Sequence, residues 1–236
     1  MRVSSLDELT REAMWQLYER YYLDVDRRRF QEDLSAKTDV ILVRDADDGS
    51  IRGFGTLLVR TLTADGRTVR ILYTGDTVLD RPYWGSSVIQ RQFLAYAAKL
   101  WLRAPHQPLY WFLISKGFRT YLLLARNLPN SWPHPDRPTP AREMTLLNAA
   151  GRAFFGSDYR EAEGVVRFDR PQARLREDVA PIDERALAAR DIQFFVEKNP
   201  GHTRGDELCC LGLIDLEMVW FNVRKYVFGR RREARR

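Results

Sequence analysis

Asp76 interrupts the stretch Ile71 to Leu79 (ILYTGDTVL), most of whose residues are β-branched, aromatic or large and apolar. A carboxylate inside a strand can hydrogen-bond a neighbouring strand or loop. It can equally hold an ammonium or take its proton, and partial burial raises its pKa toward a useful value. A few residues on, Pro82-Tyr83-Trp84-Gly85-Ser86-Ser87 leads into a different periodicity: Val88, Ile89, Phe93, Tyr96, Ala97 and Leu100 recur at three and four residues, as in a helix burying one face. Small residues at a helix start leave outward-pointing amides that can hold a phosphate. Gly-Ser-Ser can also be a plain helix cap, so the elements around it must decide.

Other reactive side chains are scattered. His106, His134 and His202 each stand alone among prolines, glycines or charges, and His134 with Asp136 is a candidate acceptor-site pair. Cys209 and Cys210 are adjacent, point to opposite faces of a strand, and read as buried thiols. There is no Gly-x-Ser-x-Gly elbow and no spaced Cys/His set, so neither a serine nucleophile nor a metal is expected. Trp132, Tyr83 and Trp84 are candidates for an apolar pocket or for core.

The 236 residues are 44% hydrophobic and 30% charged, which suits a globular protein with a full core. Residues 224–236 carry seven cations and one carboxylate, the chain's entire net charge of +6. A neutral body argues against nucleic acid as a partner. The basic tail offers transient contact with an anionic membrane, or is simply solvated. MRVSSLDELT has no apolar signal core, which makes a cytoplasmic location the default expectation.

The elements that must position Asp76 and the Gly85 turn follow from turn signals and periodicity. Ser5-Leu6-Asp7-Glu8 has the form of a capping box, and one helix is expected through about Leu23, then a second over DRRRFQEDLSAKT. Asp48-Gly49 and Asp65-Gly66 are hairpin signals between Asp39–Arg44, Ile51–Leu62 and Arg67–Leu79, which predicts a three-stranded antiparallel meander. The helix from about Trp84 to Arg103 separates Leu79 from the strand LYWFLI, Leu109–Ile114. A crossover of that length implies a parallel βαβ unit. A helix at about Arg119–Asn127, an irregular proline-rich stretch from Pro129 to Pro140, and a helix carrying Met144, Leu147, Ala150 and Phe154 come next. A strand GVVRF, a strand at Glu207–Leu213 and a last helix through Leu216, Val219, Trp220 and Val223 complete the reading, an α/β fold with a mixed sheet.

Strand, turn and helix after a meander, with Gly53-Phe54-Gly55 early in the second strand, resembles the GNAT acyltransferase superfamily over about residues 1–128. The resemblance implies a GNAT-like acyl-thioester-binding core at 1–128 and an α/β extension at 129–236. It implies that the strand ending Thr77-Val78-Leu79 lends backbone groups to a pantetheine arm, and that Trp84, Gly85, Ser86 and Ser87 wrap its phosphates. Gly85 matches the first glycine of the family's turn; Ser87 stands where Gly or Ala is usual, and Pro82 where Gln or Arg is usual. That departure suits a donor with a single phosphate at the turn. The implied donor is therefore acyl-CoA or an acyl-phosphopantetheine on a carrier protein, as in members resembling N-acyl amino acid synthases. Asp76 then becomes the candidate base for an amine acceptor, on a small molecule or peptide, and Tyr121 the candidate acid for the thiolate. A long acyl chain in a tunnel built by the extension is a further expectation. A non-catalytic module binding an acyl carrier, partner protein or anionic surface is the alternative.

Overall fold

The computed structural model describes residues 1–168, 173–176, 179 and 182–225. The basic segment 226–236 lies outside them. The chain begins with α1 (Glu8–Glu19), capped by the Asp7 side chain rather than from Ser5. A short strand, β1 (Tyr22–Leu23), stands where the sequence reading continued the helix. After α2 (Arg27–Ser35), capped by Asp26, come β2 (Asp39–Arg44), β3 (Ile51–Ala64) and β4 (Arg67–Leu79). Their turns place Gly49 and Gly66 at φ +70° and +68°, a conformation that favours glycine. The three strands form the antiparallel meander that was expected.

Residues 84–87 are not helical; α3 runs Val88–Leu102, four residues shorter at its start than its periodicity suggested. It returns the chain to β5 (Leu109–Ser115), which pairs parallel to β4 from Arg70↔Leu109 to Thr74↔Leu113. Then α4 (Phe118–Ala125) and β6 (Ser131–Trp132) follow, β6 being a short ordered strand inside the proline-rich stretch. The rest comprises α5 (Ala141–Phe155), β7 (Tyr159–Arg160), β8 (Val165–Val166), β9 (Arg174–Leu175), α6 (Glu184–Leu187), α7 (Arg190–Lys198), β10 (Glu207–Ile214) and α8 (Leu216–Val223). The main sheet has the order β2-β3-β4-β5-β10-β8-β7, a mixed sheet in which β10 is antiparallel to β5.

Both faces of this sheet are covered, which is why β5 and β10 read as continuous apolar runs. On one face Leu72, Trp111 and Cys210 pack with Phe93 and Ala97 of α3, Tyr121 and Leu124 of α4, and Phe195 of α7. On the other, Ile71, Tyr73, Phe112 and Cys209 pack with Leu146, Leu147 and Ala150 of α5. Met14, Leu17, Phe30 and Leu34 of α1 and α2 close over Phe54 and Val78. Both cysteines are free and buried, and burial pushes their thiols up in pKa.

Candidate active site

Along β4, Val69, Ile71 and Tyr73 pack toward α5, whereas Leu72 packs toward α3 and α4. Strict alternation would send Asp76 the same way as Leu72. It does not go there, because Gly55 pairs Thr77 and Leu57 pairs Thr74, so the single residue Thr56 faces both Gly75 and Asp76. This is a β-bulge, and it resets the alternation so that Val78 packs under α1 and α2. Gly75 makes the bulge possible: a Cβ there would stand 2.7 Å from Thr56 Oγ1 and 2.8 Å from Lys37 Cε.

Beyond Thr74 the ladder between β4 and β5 ends. Two parallel strands that separate leave backbone edges facing one another across a gap, and here the gap is part of a cavity of about 920 Å³. From the α3 and α4 side it is lined by Ile89, Gln90, Thr120 and Leu123, and from the opposite side by Lys37, Phe154 and Phe155. The cavity therefore passes from one face of the sheet to the other. Asp76, Thr77, Val78, Leu79, Trp84, Gly85, Ser86 and Ser87 all line it; Tyr121 does not. Tyr121 is fully buried in the core, rings against Phe194 and Phe195, and its hydroxyl donates to the Pro133 carbonyl at 3.2 Å.

At one end of the cavity the chain passes from β4 through a 3-10 turn, Arg81–Tyr83, to Gly85 at φ +82°. Charged and phenolic side chains anchor that turn. Tyr83 donates to Asp45 at 2.6 Å, Arg52 spans Asp45 and Asp80, and the Tyr21 hydroxyl donates to Asp80. Trp84 donates its indole N–H to the Leu79 carbonyl at 2.6 Å, so that carbonyl is occupied, and the guanidiniums of Arg81 and Arg119 lie 5.4 and 5.2 Å from the indole ring. No side chain caps α3, and the first bond closing its first turn is from the Arg91 amide to the Ser87 carbonyl. Ser86 Oγ and Gln90 Oε1 are buried without a partner among the described residues. Unpaired helix amides, two unpaired polar atoms and a nearby guanidinium form an arrangement that can receive an anion.

At its middle the cavity holds a cluster of charges. Asp76 is half-buried; burial raises its pKa above the usual 3.8, opposed by Lys37 and Lys116 and, less strongly, by Tyr18. Lys116, directly after β5, forms an ion pair with the buried Glu207 at 3.1 Å. Cross-strand register explains this pair, since Ser115 faces Leu208 and the next residues out are Lys116 and Glu207. Burial raises the Glu207 pKa as well. Sequence reasoning missed Lys37, Lys116 and Glu207, although a charge flanking each of two apolar strands is a readable signal. The far end is aromatic: Tyr73 and Phe154 are 4.9 Å apart, Phe155 and Phe168 complete the wall, and Arg29 and Arg60 lie over Phe168 and Phe154. His134 is 3.8 Å from Asp136 but away from the cavity, and Trp132 belongs to the core beneath α5.

No family model matches the chain, and no curated protein matches it in sequence. Among solved structures it is similar to a conserved Enterococcus faecalis protein assigned as a probable N-acyltransferase (14% identity, 49% of this chain, 29% of that one, TM-score 0.37). It is similar to an Escherichia coli GNAT family N-acetyltransferase in complex with CoA (13%, 47% of this chain, 60% of that one, TM-score 0.36). It is also similar to a Trypanosoma brucei acetyltransferase (15%, 50% of this chain, 85% of that one, TM-score 0.36). The matched part thus spans less than two thirds of the first two.

Proposed function

We propose that this chain is a GNAT-type N-acyltransferase: it moves an acyl group from a thioester donor to an amine by direct attack. The observation that supports this best is the position of Asp76. A half-buried carboxylate stands on a bulge where two parallel strands part, within one cavity that also reaches the uncapped start of α3. An extended pantetheine arm fits the open edge of β4 at Thr77–Leu79, where amide groups can pair as an added strand. Its phosphate meets Gly85, Ser86 and Ser87 beside Arg119 and Trp84. Both acyl-CoA and an acylated carrier protein present that arm. Asp76 takes the proton of the amine, and burial, which raises its pKa, makes it a stronger base than a solvated carboxylate.

The aromatic end of the cavity favours a long acyl chain. Leu58, Tyr73, Phe154, Phe155 and Phe168 line it, and each methylene buried there contributes about 0.8 kcal/mol. In this reading the 1–128 part holds the donor, and α5 from the 129–236 part supplies the acyl wall. The absence of Tyr121 from the cavity is the observation on the side of a non-catalytic binding module. Two measurements separate the readings: the melting temperature with acetyl-, octanoyl- and palmitoyl-CoA, and release of free thiol when amine is added. Transfer predicts stabilisation that grows with chain length, followed by thiol release. Stabilisation without thiol release selects the module, and equal turnover of acetyl-CoA and the longer donors removes the long-chain assignment.

A further inference from the structure

We propose that Lys116 is the group that protonates the departing thiolate, with Glu207 as the positioning residue that holds its ammonium; this rests on the acyl-transfer reading above. The reaction leaves a thiolate that needs a proton, and the phenol on α4 expected to give one is buried against Pro133, outside the cavity. Lys116 stands where that proton is required. It is the first residue beyond β5, at the end where β5 has left β4, it lines the cavity, and its side chain is 15% exposed. Glu207, 8% exposed, meets it at 3.1 Å from the neighbouring strand, and the ring of Tyr22 lies 5.7 Å from its nitrogen. An ammonium so held is fixed in direction and cannot leave for solvent. Lys116 also acts electrostatically on Asp76, which places the base and the proposed acid in one cluster.

The steps balance. The substrate ammonium gives its first proton to Asp76, which passes it to water. The nitrogen lone pair forms the N–C bond as the carbonyl π pair moves onto oxygen; the return of that pair breaks the C–S bond. The second nitrogen proton goes to the emptied Asp76 carboxylate. The thiolate takes a proton from Lys116, and Asp76 returns its proton to the neutral amine of Lys116. The products are an amide, a free thiol and one proton in water, and nothing is oxidised or reduced.

The test uses two octanoyl donors, octanoyl-CoA and the thioester of 4-nitrothiophenol, whose arylthiolate leaves without a proton. Benzylamine is the acceptor probe, followed by the common free amino acids if it is refused. Lys116→Gln should lose about a hundredfold in kcat with octanoyl-CoA and no more than about threefold with the aryl donor, and Lys116→Arg, which keeps the ion pair but whose guanidinium does not give up a proton, should lose about as much as Lys116→Gln with octanoyl-CoA; an arginine variant that keeps its activity there overturns the acid role. If Lys116→Gln alone does not fold, Lys116→Gln with Glu207→Gln removes both charges together and is read on the same donors. Equal losses on both donors overturn the assignment and leave the pair a structural one. A wild-type chain that releases thiol from neither donor with any of these amines overturns acyl transfer itself, a distinguishable result.

Discussion

The two ends of the β4–β5 ladder are built from the same strands and do opposite things. At the closed end five residue pairs run in parallel register, and Ile71, Leu72 and Leu109 are fully buried. Arg70 locks that end, donating to the carbonyls of Leu100, Ala104 and Gln107 at 2.9, 2.7 and 3.1 Å, so the loop after α3 is tied to the sheet. The indole N–H of Trp111 donates to Thr74 Oγ1 at 2.9 Å, at the last residue before the strands part. At the open end a bulge reverses the side-chain alternation, the ladder stops, and Asp76, Lys37, Lys116 and Glu207 occupy the place of a core. Burying such charges costs stability, and a cluster of them lining a cavity marks a candidate site. The closed end supplies the rigidity that the open end needs.

The sharpest way to break this contrast is Asp76→Asn. Turnover should fall about a hundred- to a thousandfold, the range for losing a general base, while the dissociation constant of octanoyl-CoA stays within about twofold. In the wild type, kcat should rise with pH through an apparent pKa above the usual aspartate value of 3.8, because burial favours the protonated form, which cannot accept a proton. Thiol-release kinetics from pH 4.5 to 8 would show both effects. Undiminished turnover in the variant removes Asp76 from the chemistry.

Arg70→Met tests the other end. It deletes three charge-assisted bonds from a partly buried guanidinium and should cost about 2 kcal/mol in urea unfolding. Because the open end keeps its residues, KM and kcat should hardly move. A large loss of activity at unchanged stability would mean that the ends are not separable in this way.

The closed end was legible in the sequence and the open end only partly so. Asp48-Gly49 and Asp65-Gly66 gave the meander, and the helical spacing after Val88 forced a parallel crossover onto Leu109–Ile114; the register bears both out. Such features are local, and turn chemistry or periodicity carries them. The bulge had a signal, since an isolated glycine within a strand often marks one, yet Gly75 was read as ordinary strand. The Lys116–Glu207 pair joins residues far apart in sequence, and only the pairing of β10 with β5 brings them together. The aromatic wall is similar: Phe154 reads as helix core, and its place in the cavity depends on where α5 crosses the sheet. The acid role implied for Tyr121 by family resemblance met a side chain turned into the core.

A smaller effect is expected at the Gly85 turn. A Cβ at Gly85 would meet nothing within 4 Å, so Gly85→Val has no steric clash to relieve and acts through φ +82° alone. That conformation costs an L-residue about 1–2 kcal/mol, and a variant that escapes it moves the turn amides. Affinity for octanoyl-CoA, measured by calorimetry, should weaken about tenfold, and the chain should still fold. Unchanged affinity would place the donor phosphate elsewhere.

The smallest effect concerns the anchor behind that turn. Asp45 accepts from the Tyr83 hydroxyl, from the Asp47 amide and from Arg52, and these bonds, the Tyr83 one foremost, push its pKa down to about 2. A carboxylate whose folded pKa is depressed stabilises the fold fully above its unfolded value of 3.8, and that contribution is lost as pH falls through the folded value. Asp45→Asn should therefore lower the melting temperature by a small, constant amount from pH 7 to about 5. The gap to wild type should then narrow as pH drops below 3.8 toward 3, where the carboxylate of the unfolded chain takes up a proton while the folded one, with a pKa of about 2, stays largely ionised. Measuring both proteins by differential scanning calorimetry at pH 7, 5, 4 and 3 gives the gap directly. A gap that stays constant over the whole range would mean that Asp45 anchors the turn by shape rather than by charge. The Gly85 turn would then be held by Asp80, with its bonds from Tyr21 and Arg52, and the comparison between the two ends of β4 would rest on one anchor fewer.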